Sequence, residues 1–115
     1  QPIHDVESPH MAFGRGGLLG DAAFVARPHV GMGVTKGAGD AMALADCLRE
    51  TDNDVPSALA RYESRRLRFN AAVVAHAREL GAWLQGVNTP EARRHHTPEA
   101  VMAEIAVTRD YRLKA

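Results

Sequence analysis

Two helical patterns separated by a short polar break constrain the fold of this chain more than any other feature. Leucines and alanines recur at spacings of three and four residues from Gly33 to Arg49, which predicts a helix with one apolar stripe. The same periodicity returns from Pro56 to Gln85 and predicts a second, longer helix. Asp54 precedes this helix and is suited to cap it, because its carboxylate can accept a hydrogen bond from a first-turn N–H group.

The composition agrees with close-packed helices. The chain has 115 residues, of which 45% are hydrophobic and only 5% are aromatic, a content that suits helices better than strands. Thr97, Pro98 and Glu99 predict the start of a third helix, with threonine as its cap. We therefore expect a mainly α chain with a short strand and about three helices. The predicted stripes of the first two helices consist of Ala41, Leu44, Ala45, Leu48, Leu59, Tyr62, Phe69, Val73, Ala77, Leu80 and Leu84.

Charge and cysteine content narrow the class of protein. The 14 basic and 14 acidic side chains balance, so net charge gives no indication of nucleic-acid or membrane binding. No apolar run approaches the length of about 20 residues that spans a bilayer, and no secretory signal pattern is present. Cys47 is the single cysteine and has no partner for an internal disulfide. A cytoplasmic protein is the expectation.

A glycine-rich stretch precedes the first helix and carries the chemistry. Residues 16–20 predict a short buried strand, and Asp21 follows it at a turn. A carboxylate there can accept hydrogen bonds from sugar hydroxyls. Residues 24–33 predict a loop without regular structure, after which the N–H groups of a helix start can hold an electron-rich carbonyl such as that of a flavin pyrimidine. The plainer interpretation is a turn cap followed by a glycine-rich connection.

These residues resemble the second FAD-binding motif of the p-hydroxybenzoate hydroxylase-like flavin monooxygenases. The motif is read here as Gly20-Asp21-Ala22-Ala23, Pro28, Gly31-Met32-Gly33, Thr35 and Asp40-Ala41. The segment Arg27-Pro28-His29-Val30 is most similar to the dihydroxypyridine hydroxylase branch. The resemblance covers roughly residues 1–86 and implies an α/β, Rossmann-like FAD-binding fold in the parent enzyme.

The resemblance also implies roles for individual residues. Asp21 would bind the ribityl or ribose hydroxyls of FAD, and Pro28 and Gly31 would lie along the isoalloxazine edge. The N–H groups of the first helical turn would hold the pyrimidine carbonyl, and Asp40 would brace the helix. No catalytic residue is assigned, and the co-substrates would be NAD(P)H and a small aromatic molecule. The predicted cofactor-binding set is Gly20, Asp21, Pro28, Gly31, Met32, Gly33, Val34 and Thr35.

Some features of the family are missing or altered. Phe24 stands where many members have histidine, and Thr35 where many have asparagine. The dinucleotide pattern Gly-x-Gly-x-x-Gly does not occur. We therefore expect a C-terminal portion, inactive alone, whose partner is the missing N-terminal part of the enzyme. Residues 1–15 would lead from an absent substrate domain, 16–86 would complete the FAD-binding domain, and 87–115 would form a linker and helix. The alternative is a stand-alone helical module, derived from such an enzyme, that forms a homodimer.

Other conspicuous side chains have simpler interpretations. His95, His96 and Glu99 lack the spacing of a metal site, and no metal is assigned. Arg65 and Arg68 fit a solvated face, whereas Arg66 lies on the apolar stripe. A half-buried arginine needs a carboxylate partner, and the candidates are Glu63 and Asp40. His29 is interpreted as an exposed loop residue rather than a substrate or flavin contact, and Cys47 and Trp83 as packing residues.

Overall fold

The fold is a pair of long helices with a set of very short strands at one side. The computed structural model describes residues 2–86 together with Glu99. Helix α1 spans Gly33–Glu50 and helix α2 spans Val55–Leu84, so both predicted helices are confirmed to within one residue at each end. The predicted third helix lies outside the described residues except for Glu99, which is helical.

The connection between the helices follows the capping chemistry expected from the sequence. The Asp54 carboxylate accepts a hydrogen bond from Ser57 N–H at 3.2 Å, as predicted. Asp52 and Asn53 have positive φ values of 49° and 62°, which short polar side chains tolerate better than most residues. Glu50 pairs with Arg65 at 2.6 Å across this connection. The chain therefore reverses direction, and α1 and α2 pack antiparallel.

The strands differ from the prediction. Strand β1 (Val6–Glu7) pairs antiparallel with β4 (Phe24–Val25), and β2 (Ala12–Phe13) pairs antiparallel with β3 (Gly16–Gly17). The predicted buried strand over residues 16–20 is wrong, because only Gly16–Gly17 is extended and both residues are exposed.

The physical reason is a tight turn. Gly14 has φ of +59° at the first central position of a two-residue hairpin loop, where glycine is favoured. Because of this turn, Gly16–Gly17 pairs with β2, the strand just before it in sequence, rather than with a parallel strand. The prediction of an irregular 24–33 loop is also wrong in part, because β4 lies there and residues 28–30 form a 3-10 turn.

Two adjoining apolar clusters form the core beneath the helices. Tyr62, Cys47 and Phe24 are buried in the first cluster, and Val30 and Leu80 in the second. The packing roles expected for Cys47 and Trp83 agree with this arrangement, since Trp83 packs against the second cluster. The helical stripes are correct except at Ala41 and Leu84, whose side chains are exposed. In the part of the chain that the structure describes, no helix has the length and apolar character needed to cross a bilayer.

Candidate functional site

The Gly20–Asp21 turn is held to α1 by two side chains that lie one helical turn apart. Gly20 has φ of +58°, a backbone conformation that favours glycine. Its N–H donates to Asp40 Oδ2 at 2.9 Å, and its carbonyl accepts from Lys36 Nζ at 2.9 Å. We call Lys36 and Asp40 the α1 clamp, because together they fix both polar groups of the Gly20 residue.

Asp40 is the centre of a buried ionic network. Its carboxylate is fully buried and accepts hydrogen bonds from Arg66 Nε at 2.7 Å and from Asn70 Nδ2 at 3.0 Å. Of the two predicted partners of Arg66, Asp40 is therefore the correct one. Glu63 instead accepts from the backbone N–H groups of Met11 and Ala12. Because a buried carboxylate needs paired charges and donors, the network ties the helix pair to the Gly20 turn.

Lys36 was not predicted as part of the site, although it is as deeply buried as the core. Its side chain is only 1% exposed, and this burial lowers the pKa of the ammonium from its ordinary value of 10.5, while the nearby Asp40 and Asp21 carboxylates act in the opposite direction. The sequence contains one signal for it. Lys36 and Asp40 are four residues apart, so they share a helix face, and that face is the one that meets α2.

The outward side of the turn and the start of α1 offer free polar groups. The Asp21 side chain is exposed, and so are Gly33, Val34 and Thr35. The N-terminal residue of α1 has no side-chain cap, and the backbone bonding begins at Lys36 N–H, which donates to Met32 O at 2.8 Å. A helix start of this kind presents N–H donors and a positive dipole end.

Close packing of two glycines brings these groups together. A Cβ atom built on Gly20 would lie 3.6 Å from Gly37 Cα, so the turn rests directly on the first turns of α1. Nothing lies within 4 Å of the position that a Cβ on Gly33 would take. The residues present therefore fit a ligand that carries hydroxyl groups at one end and an electron-rich carbonyl at the other, as FAD does.

The loop between β4 and α1 divides its residues between the core and the surface. Val30 is 1% exposed and Met32 is 6% exposed, whereas Pro28 and Gly31 face outward. Gly31 has φ of +65°, which lets the chain turn from the core into α1. The side chain of Met32 is thus a core residue, and any contact of this residue with a cofactor would use its backbone.

His29 lies in a different place from the one expected. Its side chain is half-buried rather than exposed and packs against the α2 backbone at Gly81. The interpretation of His29 as an exposed loop residue is therefore wrong. Sequence reasoning did not connect these two residues, because they are 52 positions apart along the chain.

Metal ligation has no support in the described part of the chain. No group of three or more histidine, cysteine, aspartate or glutamate side chains is arranged there to hold a metal ion. His95 and His96 lie outside the described residues.

Comparison with known proteins decides the family. The model of the FAD binding domain family matches residues 2–77, a span that includes every predicted cofactor-binding residue. The chain belongs to the FAD binding domain family. This result confirms the prediction of FAD as the cofactor.

Several curated hydroxylases and monooxygenases are similar to part of this chain. The 3-hydroxybenzoate 6-hydroxylase of Polaromonas naphthalenivorans is 36% identical over 70 residues, covering 61% of this chain and 18% of that protein. The aurachin C monooxygenase/isomerase of Stigmatella aurantiaca is 40% identical over 85 residues, covering 70% and 22%. The 2,6-dihydroxypyridine 3-monooxygenase of Paenarthrobacter nicotinovorans is 31% identical over 83 residues, covering 72% and 21%.

The relatives are much longer than this chain, and their identities to it do not favour one branch of the family. The chain spans only about a fifth of the length of these curated relatives. Identity also does not single out the dihydroxypyridine branch, because the aurachin and hydroxybenzoate enzymes are more similar to this chain. No solved structure matches the chain at a comparable level of significance.

Proposed function

We propose that this chain supplies the flavin end of the FAD site in a flavin-dependent monooxygenase that hydroxylates an aromatic or pyridine-type ring. One observation carries the proposal: the Gly20–Asp21 turn is clamped to the same helix whose exposed, uncapped start provides N–H donors. FAD supplies the redox chemistry when bound, using electrons from NAD(P)H and oxygen from O2. The protein's part is to bind and orient.

The residues of the chain divide this work between them. The Asp21 carboxylate accepts hydrogen bonds from the hydroxyls of the ribityl or ribose group. The N–H groups of Gly33, Val34 and Thr35 donate to the pyrimidine carbonyl and stabilise negative charge there, aided by the helix dipole. The exposed backbone at Pro28 and at Gly31–Met32 borders the ring edge. The α1 clamp holds the two ends of the site at a fixed separation.

The rest of the FAD site then belongs to residues outside this chain. The family's Gly-x-Gly-x-x-Gly pattern is absent from the sequence, so the pyrophosphate contacts come from elsewhere in a cytoplasmic parent enzyme. On the described surface, Val34 is 90% exposed and Met42 is 69% exposed. This apolar side of α1 faces away from α2 and is suited to packing against the remaining part of the FAD-binding domain. Residues 16–86 then complete that domain, after a segment 1–15 that leads from the substrate domain.

The product of the complete gene tests the proposal directly. Its reading frame should encode the Gly-x-Gly-x-x-Gly pattern upstream of these residues. The purified protein should contain FAD, consume O2 when NAD(P)H and a suitable aromatic substrate are added, and lose FAD when Asp21 is replaced by asparagine. Asp46→Asn is the matched control, because Asp46 lies on α1 and pairs only with the exposed Arg49 in the described structure. A flavin-free protein would contradict the proposal.

The 115-residue chain provides the complementary experiment. Mixed with FAD, it should bind more weakly than micromolar and should not oxidise NAD(P)H, because the site lacks its pyrophosphate contacts. Micromolar binding would contradict the incompleteness of the site.

The exposed apolar side of α1 also favours a second candidate, a helical module that dimerises through Val34 and Met42. Sedimentation of the purified chain separates the two. A stable dimer that dissociates when Met42 is replaced by lysine would support the module, whereas a monomer supports the incomplete flavin site.

A further inference from the structure

Gly81 lies inside α2 at a position where the helix would gain from a side chain. A glycine within a helix is less favourable than alanine, and Gly81 has no positive φ that would require it. The space beside it is taken by another residue. A Cβ atom on Gly81 would lie 2.8 Å from His29 Cδ2 and 3.1 Å from His29 Nε2. Both distances are too short for ordinary packing, so the missing side chain makes room for the imidazole ring.

His29 contacts α2 by close packing rather than by a hydrogen bond from its Nε2 atom. His29 Nε2 is buried and has no hydrogen-bond partner among the described residues. The position of a Gly81 Cβ is also 3.4 Å from Arg27 Cδ, so the Arg27 side chain occupies part of the space beside Gly81 as well. Arg27 is itself held by Asp5, whose carboxylate accepts from Arg27 Nε at 3.1 Å.

His29 occupies a decisive position in the loop. It lies between Pro28 and Gly31, the two exposed residues that would border the flavin ring, and the 3-10 turn that joins them closes with a bond from Gly31 N–H to Pro28 O at 2.9 Å. A displacement of the His29 ring must therefore move this turn. Val30 on the same turn is buried in the second core cluster. The turn is therefore attached at two points, through the Val30 side chain in the core and through the His29 ring beside Gly81.

We propose that Gly81 is a socket for the His29 ring, and that this docking sets the position of Pro28 and Gly31 at the cofactor, which makes His29 and Gly81 positioning residues of the site. The docking stands on the contacts alone. Its role toward the cofactor rests on the proposed function.

A two-residue cycle in the 115-residue chain tests the docking through the sign of an effect. With His29 replaced by alanine, Gly81→Ala should raise the folded-to-unfolded ratio by up to about fivefold, since helix propensity acts without a clash. With His29 present, the same substitution should lower the ratio. Ala75→Gly, at an exposed position of α2, is the control and should lower the ratio equally in both backgrounds.

Hydrogen exchange locates the change. Gly81→Ala and His29→Ala should each speed exchange of the Gly31 amide at least tenfold. Exchange of the amide of the buried Val74 should change only as much as the global stability changes. Ala75→Gly should leave Gly31 exchange unchanged. If Gly81→Ala stabilises the chain equally with and without His29, and Gly31 exchange does not change, the socket is overturned.

The complete flavoprotein tests the link to the cofactor. Gly81→Ala should shift the visible absorption bands of the bound FAD and weaken its binding, and Ala75→Gly should do neither. If the cycle shows docking but the flavin spectrum and affinity are unchanged, the positioning role is overturned. If the complete protein binds no flavin, the proposed function fails and the positioning role fails with it, whereas the docking result remains.

Discussion

The Gly20–Asp21 turn and the Pro28–Gly31 loop are both parts of the candidate FAD site, but they are held in place by different forces. Charged side chains hold the turn, since Lys36 and Asp40 bond both polar groups of Gly20. The loop is held by shape, through the buried Val30 and the His29 ring at Gly81. The turn carries the group that would bind the sugar-like chain of FAD, whereas the loop borders the ring.

This difference has a physical consequence for each half. A buried ionic network is sensitive to the loss of one charge, because the remaining charges are left without compensation. A packed loop is sensitive to changes of volume, because core side chains leave few gaps. Substitutions that alter charge should therefore act on the turn, and substitutions that alter size should act on the loop.

The largest effect is expected at Asp40. Asp40→Asn leaves the buried Lys36 ammonium and the Arg66 guanidinium without their shared carboxylate, which should cost about 3–5 kcal/mol of unfolding free energy. Urea unfolding measures it, with Asp46→Asn as the control on the same helix. A loss equal to that of the control would show that the α1 clamp does not depend on charge.

A volume change in the loop should have a smaller effect. Val30→Ala removes two buried methyl groups from the second core cluster and should cost about 2 kcal/mol. Val34→Ala is the matched control, because Val34 is 90% exposed and its truncation should change stability by less than about 0.5 kcal/mol. Equal effects at the two positions would contradict the burial of the loop.

Glu63 should make the attachment of the β2 segment to α2 depend on pH. Its carboxylate accepts from Met11 N–H at 2.5 Å and from Ala12 N–H at 2.9 Å, and these bonds lower its pKa from the ordinary value of 4.5. A carboxylate whose pKa is lowered by folding stabilises the fold at pH values above its pKa in the unfolded chain. This contribution is lost as the pH falls through its pKa in the folded chain.

At pH values above 4.5, Glu63→Gln should therefore lower the free energy of unfolding by about 1 kcal/mol. The difference in stability from the parent chain should shrink in more acidic buffer. Unfolding midpoints across this pH range measure it. Ser64→Ala, at the neighbouring exposed position, should keep the parent profile, and a pH-independent loss in Glu63→Gln would rule out the carboxylate as the cause.

The smallest effect on stability is expected at Asp21. The side chain is exposed and makes no hydrogen bond among the described residues, and solvent screens its attraction to the Lys36 ammonium, so Asp21→Asn should change the unfolding free energy by less than about 0.5 kcal/mol. Chemical denaturation checks this value. A large loss of stability would mean that Asp21 is a structural residue rather than a free ligand for a cofactor.

The sequence predicted those parts of the structure that depend on local patterns. Helical periodicity located α1 and α2, and Asp54 caps α2 as expected. The need of a half-buried arginine for a carboxylate gave Glu63 and Asp40 as candidate partners of Arg66, and Asp40 is the partner in the structure. The rest required tertiary information. The Lys36–Gly20 bond and the His29–Gly81 contact both join residues far apart in sequence.

The exposed groups of the candidate site were named from the sequence, whereas Lys36, which supports them, was not. The resemblance to the flavin monooxygenase motif indicated Asp21 and the start of α1, both of which are exposed in the structure. It gave no role to Lys36, whose importance comes from burial against the Gly20 carbonyl. Because lysine is mostly found at protein surfaces, the residue type alone predicts an exposed Lys36 and not the buried position that it has.

Amide chemical-shift mapping of the isotope-labelled 115-residue chain, titrated with FAD to millimolar concentration, shows which backbone groups contact the cofactor. If the Gly20–Asp21 turn and the start of α1 form the flavin end of one site, both should respond to the same ligand. The amide shifts should concentrate at Asp21 and at Gly33–Thr35, weaken together in Asp21→Asn and persist in Asp46→Asn. Shifts confined to other surfaces, or unchanged by Asp21→Asn, would contradict the shared site.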